Sequence, residues 1–270
     1  MRALCAISAC YSMVLAGCMT VPAENPDYAA TNAEVDEDYQ RMGKQPVALP
    51  RPVVILNGYH APPLFAWNAR DWIVELTGAP DDQVMAISYP FRYDIPSIAE
   101  EVVREVDERW PSASADGTVD VDVVAISMGG LVAREAAMTP DAAAGTPARK
   151  RLKIKRLFTL ATPHRGANLA DWLRPDEASR QMQRGSAYLA RLDAGLAGAD
   201  YELVCYARLH DEIVGATNAA PVGSEPIWVP GLVVGSHFGI ANDRRILVDV
   251  ARRLRGEEPL AKSGAAPPRD

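Results

Sequence analysis

Between residues 52 and 254, short runs of branched apolar residues alternate with longer stretches in which apolar positions recur at helical spacing. Residues 52–56 (Pro52-Val53-Val54-Ile55-Leu56) suit a strand buried on both faces. Residues 84–89 read as a second strand stopped by Pro90, and residues 119–126, 154–160, 201–207 and 227–234 as four more. Helical spacing marks residues 67–76, 128–138 and 242–254. It also marks residues 97–110, where Ile98, Val102, Val103 and Val106 form the stripe. There Ser97 is the expected N-cap, with Glu100 completing a capping box. Strands alternating with helices predict an α/β fold, a mostly parallel central sheet with helices on both faces, in one domain over residues 51–255.

The pattern fades outside that span. Residues 18–50 are rich in Asp, Glu, Pro and Asn, which predicts a flexible tether with a short helix around 34–42. Residues 256–270 are charged and Pro-rich and are expected to be disordered. Residues 166–200 are helical in character but polar, and residues 168–196 within them read as a small helical cap insertion. Within it, Trp172, Leu173, Met182, Tyr188 and Leu189 either line an acyl pocket or pack the insertion onto the domain.

Composition narrows the function classes. The 270-residue chain is 48% hydrophobic, enough for a substantial core, and carries a net charge of −7. That charge argues against a nucleic-acid partner, which needs a basic face. The first 17 residues, one Arg and then a mostly apolar run too short to span a bilayer, read as an export signal. Leu15-Ala16-Gly17-Cys18 resembles a bacterial lipobox, and the resemblance implies acylation of Cys18. The alternative is an ordinary cleavage site with an incidental Cys. Met19 follows Cys18, where an Asp would suggest inner-membrane retention. The expected location is therefore the outer membrane, facing the periplasm. Cys5 and Cys10 would leave with the signal, so Cys205 remains as a core thiol, and neither a disulfide framework nor a metal cluster is expected.

The strongest chemical signal is Val121-Asp122-Val123-Val124-Ala125-Ile126-Ser127-Met128-Gly129-Gly130, an apolar strand running through a small-x-Ser-x-Gly turn into a helix. A nucleophile elbow needs that context, because the hydroxyl must stand free on a sharp turn while small neighbours let helix and strand pack closely. Ala125 and Gly129 are those neighbours. With them the chain resembles the α/β-hydrolase lipases and esterases, and more narrowly small lipases with Ala at the first Gly of the elbow. Thr159-Leu160-Ala161-Thr162-Pro163-His164-Arg165-Gly166 resembles a segment that lines the active-site floor in such lipases.

The resemblance implies roles for further residues. Val53 to His60 is similar to the strand and His-Gly loop of lipases, with Asn57 where His is usual. It implies an oxyanion hole built from the backbone amides of Tyr59 and Met128. The family order of nucleophile, acid, base puts the base at His237, in Gly235-Ser236-His237-Phe238-Gly239, and the acid at Asp211, with Glu212 as its neighbouring rival. His164 is then structural, and His210 a surface residue beside the acid loop. The expected activity is ester hydrolysis through a Ser127–Asp211–His237 triad on an apolar acyl ester, without a cofactor. A thioesterase, acyltransferase or peptidase on the same triad stays open, as does a non-catalytic binding lipoprotein.

Overall fold

The computed structural model describes residues 25–138, 150–232, 234–261 and 264–268. The expected export signal over residues 1–17 and Cys18 lie outside them. Among the described residues six strands form one sheet in the order β2-β1-β3-β4-β5-β6. They are β1 (Val53–Leu56), β2 (Val84–Ile87), β3 (Gly117–Ile126), β4 (Arg151–Leu160), β5 (Glu202–Arg208) and β6 (Ile227–Val229). Every neighbouring pair is parallel. The expected parallel sheet is therefore present, and its edge strands are β2 and β6.

Both faces are covered, which explains why the central strands lack polar alternation. On one face Val53, Ile55, Val124 and Phe158 meet the helices α1 (Asn32–Met42), α2 (Pro63–Thr77) and α8 (Arg244–Arg255). On the other, Val54, Leu56, Val123 and Leu157 meet α3 (Ile95–Arg109) and α4 (Gly129–Ala137). The insertion after β4 packs on this second face as a 3-10 turn (Leu169–Asp171), α5 (Glu177–Gln181) and α6 (Ala187–Gly195). Met182 and Leu189 are buried there, whereas Trp172 and Leu173 are exposed, so packing rather than pocket lining holds for the buried pair.

Three expectations need correction. The α3 cap is Asp94, not Ser97: its carboxylate accepts from Ser97 N, and Pro96 fits the first turn, where an amide hydrogen is not needed. β6 stops at Val229 rather than continuing to residue 234, because Pro230 cannot donate to a ladder.

The third correction concerns the ends. From Asn25 onward the expected tether is packed: α1 buries Val35 and Met42, and Asp38 holds Arg41 at 2.6 Å and Arg252 of α8 at 2.5 Å. The expected disordered tail is also tied down. Ala261 forms an antiparallel bridge with Tyr28, its amide donates to Asp249 at 3.1 Å, and Ala265 N donates to Pro226 O. A stripe of three residues (Val35, Tyr39 and Met42) in an otherwise polar segment suffices because it packs against α2 and α8, and tertiary packing supplies most of a helix's stability.

Candidate active site

Ser127 follows the C-terminal end of β3 with φ +51°, a left-handed conformation that costs a non-glycine residue about 1–3 kcal/mol and clusters at functional sites. The turn is held from both sides: Ser127 N donates to Leu160 O at 2.8 Å, and Thr162 Oγ1 donates to Ser127 O at 2.7 Å. The small residues have steric causes. A Cβ on Gly129 would lie 2.7 Å from Asn57 O, and one on Gly130 would lie 2.2 Å from Thr162 Oγ1. Gly130 was invisible in sequence because its obstacle, Thr162, comes from the loop after β4.

His237 lies on α7 (Ser236–Gly239), and its Nε2 is 3.1 Å from Ser127 Oγ. Its Nδ1 is 2.9 Å from Asp211 Oδ2. A carboxylate only accepts, so Nδ1 carries the hydrogen and Nε2 of the neutral ring offers its lone pair to the Ser127 hydroxyl. The other Asp211 oxygen accepts from the amides of Ile213 (3.0 Å) and Val214 (2.8 Å), which fixes the carboxylate. The structure thus brings the three side chains into one hydrogen-bonded series, and all three residues are buried. Glu212 is elsewhere: its Oε1 accepts from Gly235 N at 3.1 Å.

Two residues that sequence reasoning missed tie the His237 turn to the end of β5. Ser236 Oγ donates to Leu209 O at 2.6 Å, and the buried Arg208 donates from Nη1 to Ser236 O at 3.2 Å. Their closeness leaves no room for a Cβ on Gly231, which would meet Leu209 O at 1.7 Å, and a Cβ on Gly239 would have to displace the Arg208 guanidinium, whose Nη1 would lie 1.9 Å away.

The loop after β1 approaches Ser127 from the other side, where a Cβ on Gly58 would lie 3.3 Å from the Ser127 Cβ. Asn57 organises this loop. Its Nδ2 contacts Ala61 O, Pro62 O and Ser88 Oγ at 3.1, 3.0 and 2.9 Å, and its Oδ1 accepts from Gly58 N at 3.0 Å. Neither the Tyr59 nor the Met128 amide donates to another described residue. Met128 also precedes the first turn of α4, where the helix dipole favours negative charge. The Tyr59 hydroxyl donates to Asp176 Oδ2 at 2.7 Å, and His60 sits between that oxygen (3.0 Å) and Pro90 O (2.8 Å). Burial pushes Asp176 up, but its hydrogen bonds from His60, Ser179 and Tyr59 outweigh that and hold it below the usual carboxylate range.

His164 is fully buried under this site. Arg134 Nη1 lies 2.9 Å from its Nδ1, so the hydrogen is on Nε2, which faces Thr159 Oγ1 at 3.1 Å. Burial first, and then the Arg134 and Arg165 charges, push its pKa well below the ordinary value. His210 is exposed at φ +58° beside the Asp211 loop. Cys205 is a buried thiol that burial pushes up to about 11, far from the range of a reactive thiolate. A cavity of about 130 Å³ opens beside Ser127 and His237 and is walled by Ala61, Pro62, Phe65, Ile126, Phe238 and Ala241. Among the described residues no group of three or more His, Cys, Asp or Glu could hold a metal ion, and no helix is long and apolar enough to cross a membrane.

Comparison with known proteins gives the following. A family described as "Putative serine esterase (DUF676)" matches residues 92–174, a span that contains Ser127 but neither Asp211 nor His237. No curated protein matches the chain. Among solved structures, Aspergillus fumigatus lipase B superposes with a TM-score of 0.55 at 14% identity, over 92% of this chain and 62% of that one. The mature form of Bacillus licheniformis lipase BlEst2 gives 0.50 at 15% identity, over 73% and 89%. Phospholipase PlaB from Legionella pneumophila, in complex with thio-NAD, gives 0.51 at 13% identity, over 63% and 44%. The chain therefore spans less than half the length of that phospholipase. At these identities the likeness establishes the fold alone, and the fold is that of the α/β-hydrolases.

Proposed function

We propose that the chain hydrolyses carboxylic esters through an acyl-enzyme on Ser127, with His237 as base and Asp211 orienting it. The observation that carries this reading is the strained Ser127 hydroxyl 3.1 Å from His237 Nε2, whose other nitrogen is held by Asp211. In the first step Ser127 Oγ bonds to the ester carbonyl carbon and its proton passes to His237 Nε2. The carbonyl oxygen takes the negative charge and accepts from the Tyr59 and Met128 amides, each such donor being worth about 10²–10³ in rate. As the tetrahedral species collapses, the carbon–oxygen bond to the alcohol breaks and His237 returns the proton to the departing oxygen. A water then gives a proton to His237 and its oxygen bonds to the acyl carbon. The bond to Ser127 breaks, Oγ recovers the proton, and the carboxylic acid departs.

Hydrolysis of a panel of p-nitrophenyl esters by the wild type and by Ser127→Ala tests the reading. The expected loss in kcat is on the order of 10³-fold or more. Equal rates for the two folded proteins on every ester would refute it, and thioesters and peptides would be tried next. Export with acylation of Cys18 belongs to the same proposal, supported by Leu15-Ala16-Gly17 before the Cys. Cys18→Ser should move the protein from the membrane fraction to the soluble one, and unchanged fractionation would remove the anchor.

A further inference from the structure

The cavity beside Ser127 is small for an enzyme with lipase-like neighbours. Its volume of about 130 Å³ is less than the roughly 150 Å³ of an apolar cavity that takes up benzene, and it holds about four groups of water's size. Apolar side chains dominate its walls beside Asn57, His60, Ser127 and His237, and the two bulky ones among them that are not exposed are the half-buried Phe65 and the buried Ile126. The longer candidates for an acyl groove are absent from these walls: Met182 and Leu189 are buried in the core of the other face.

The two halves of an ester make different demands on this site. The acyl half stays attached to Ser127 through both steps, so it can stay in the small cavity. The alcohol half must leave between them, and water must then reach His237, so it needs an open side. That side is present, because the loops after β2, β4 and β6 all leave the same end of a parallel sheet as Ser127 and expose Phe91, Tyr93, Trp172 and Val234. Tyr93 is near the site, with its ring centroid 5.2 Å from that of His60.

We infer, on the strength of the esterase reading above, that the substrate is an ester of a short acyl group, about butyryl in size, with an apolar alcohol. Phe65 sets the acyl limit. Each methylene that finds room in the pocket raises kcat/KM about fourfold, and one that does not fit loses that gain and adds a clash.

The experiment is the acyl-length profile of the wild type on p-nitrophenyl acetate, butyrate, octanoate and palmitate, with Phe65→Ala beside it. The profile should peak at butyrate and fall at least about tenfold by octanoate. Phe65→Ala should raise the octanoate-to-butyrate ratio by about tenfold. A wild-type profile that climbs to palmitate would overturn the inference and leave the esterase reading standing. A folded Phe65→Ala with an unchanged ratio would overturn the role of Phe65. Failure of every ester to exceed Ser127→Ala would refute the underlying reading itself, and the acyl-length claim with it.

Discussion

Asp211 and Glu212 are adjacent carboxylates on one loop, and hydrogen bonding rather than sequence position separates them. Asp211 faces His237 with its second oxygen filled by two backbone amides, whereas Glu212 turns to Gly235 N. Asp211→Asn keeps the size but presents an amide to Nδ1 and favours the wrong tautomer, so kcat should fall on the order of 10⁴-fold. Glu212→Gln retains an acceptor for Gly235 and should lose far less. Equal losses in the two variants, measured by steady-state kinetics, would contradict the assignment. At this scale the grouping of Ser127, Asp211 and His237 was legible, because each follows a strand in the order that the α/β-hydrolase resemblance implies. Arg208 and Ser236 were not legible as site residues, because their partners lie on other loops or strands and no local pattern marks them.

At the scale of elements, the strands were readable because burial on both faces leaves continuous apolar runs. Their limits were set by residues that end pairing, as at Pro230. Helix α1 was expected around residues 34–42, and the structure has it there, but its packing was harder to read. Its polar faces make ion pairs with α8, and its narrow stripe meets α2 and α8, so its stability comes from tertiary contact rather than from its own sequence. Met42 is fully buried in that contact. Met42→Ala should therefore lower unfolding free energy by about 2–5 kcal/mol. A thermal or urea melt unchanged from the wild type would mean that α1 is the tether its composition suggests. The turn carrying His237 shows the same dependence, since Gly231 is needed only because the Leu209 carbonyl presses against it.

For the molecule as a whole, the buried His164 links the end of β4 to α4 and gives stability a pH dependence. Its folded pKa lies well below 6.5, so as pH falls through about 6.5 the unfolded chain takes a proton that the folded chain refuses. Stability should fall with pH across that window, by up to about 1.4 kcal/mol per pH unit from this group. Melting temperatures between about pH 7 and 5 should show that slope, and His164→Gln should flatten it. A wild type equally stable across the range would contradict the burial of a neutral ring. The fold class was legible in the strand–helix alternation, whereas the packed ends were not, because Tyr28 and Ala261 meet across 233 residues of chain.

The nucleophilic role of Ser127 is the centre of this account, and a fluorophosphonate tests it most directly because it phosphonylates only a serine activated by a neighbouring base. Peptide mass spectrometry after exposure should find one adduct, on Ser127, that forms at least about 10³-fold more slowly in His237→Ala. An unlabelled Ser127 in folded wild type, or labelling indifferent to His237, would contradict the account.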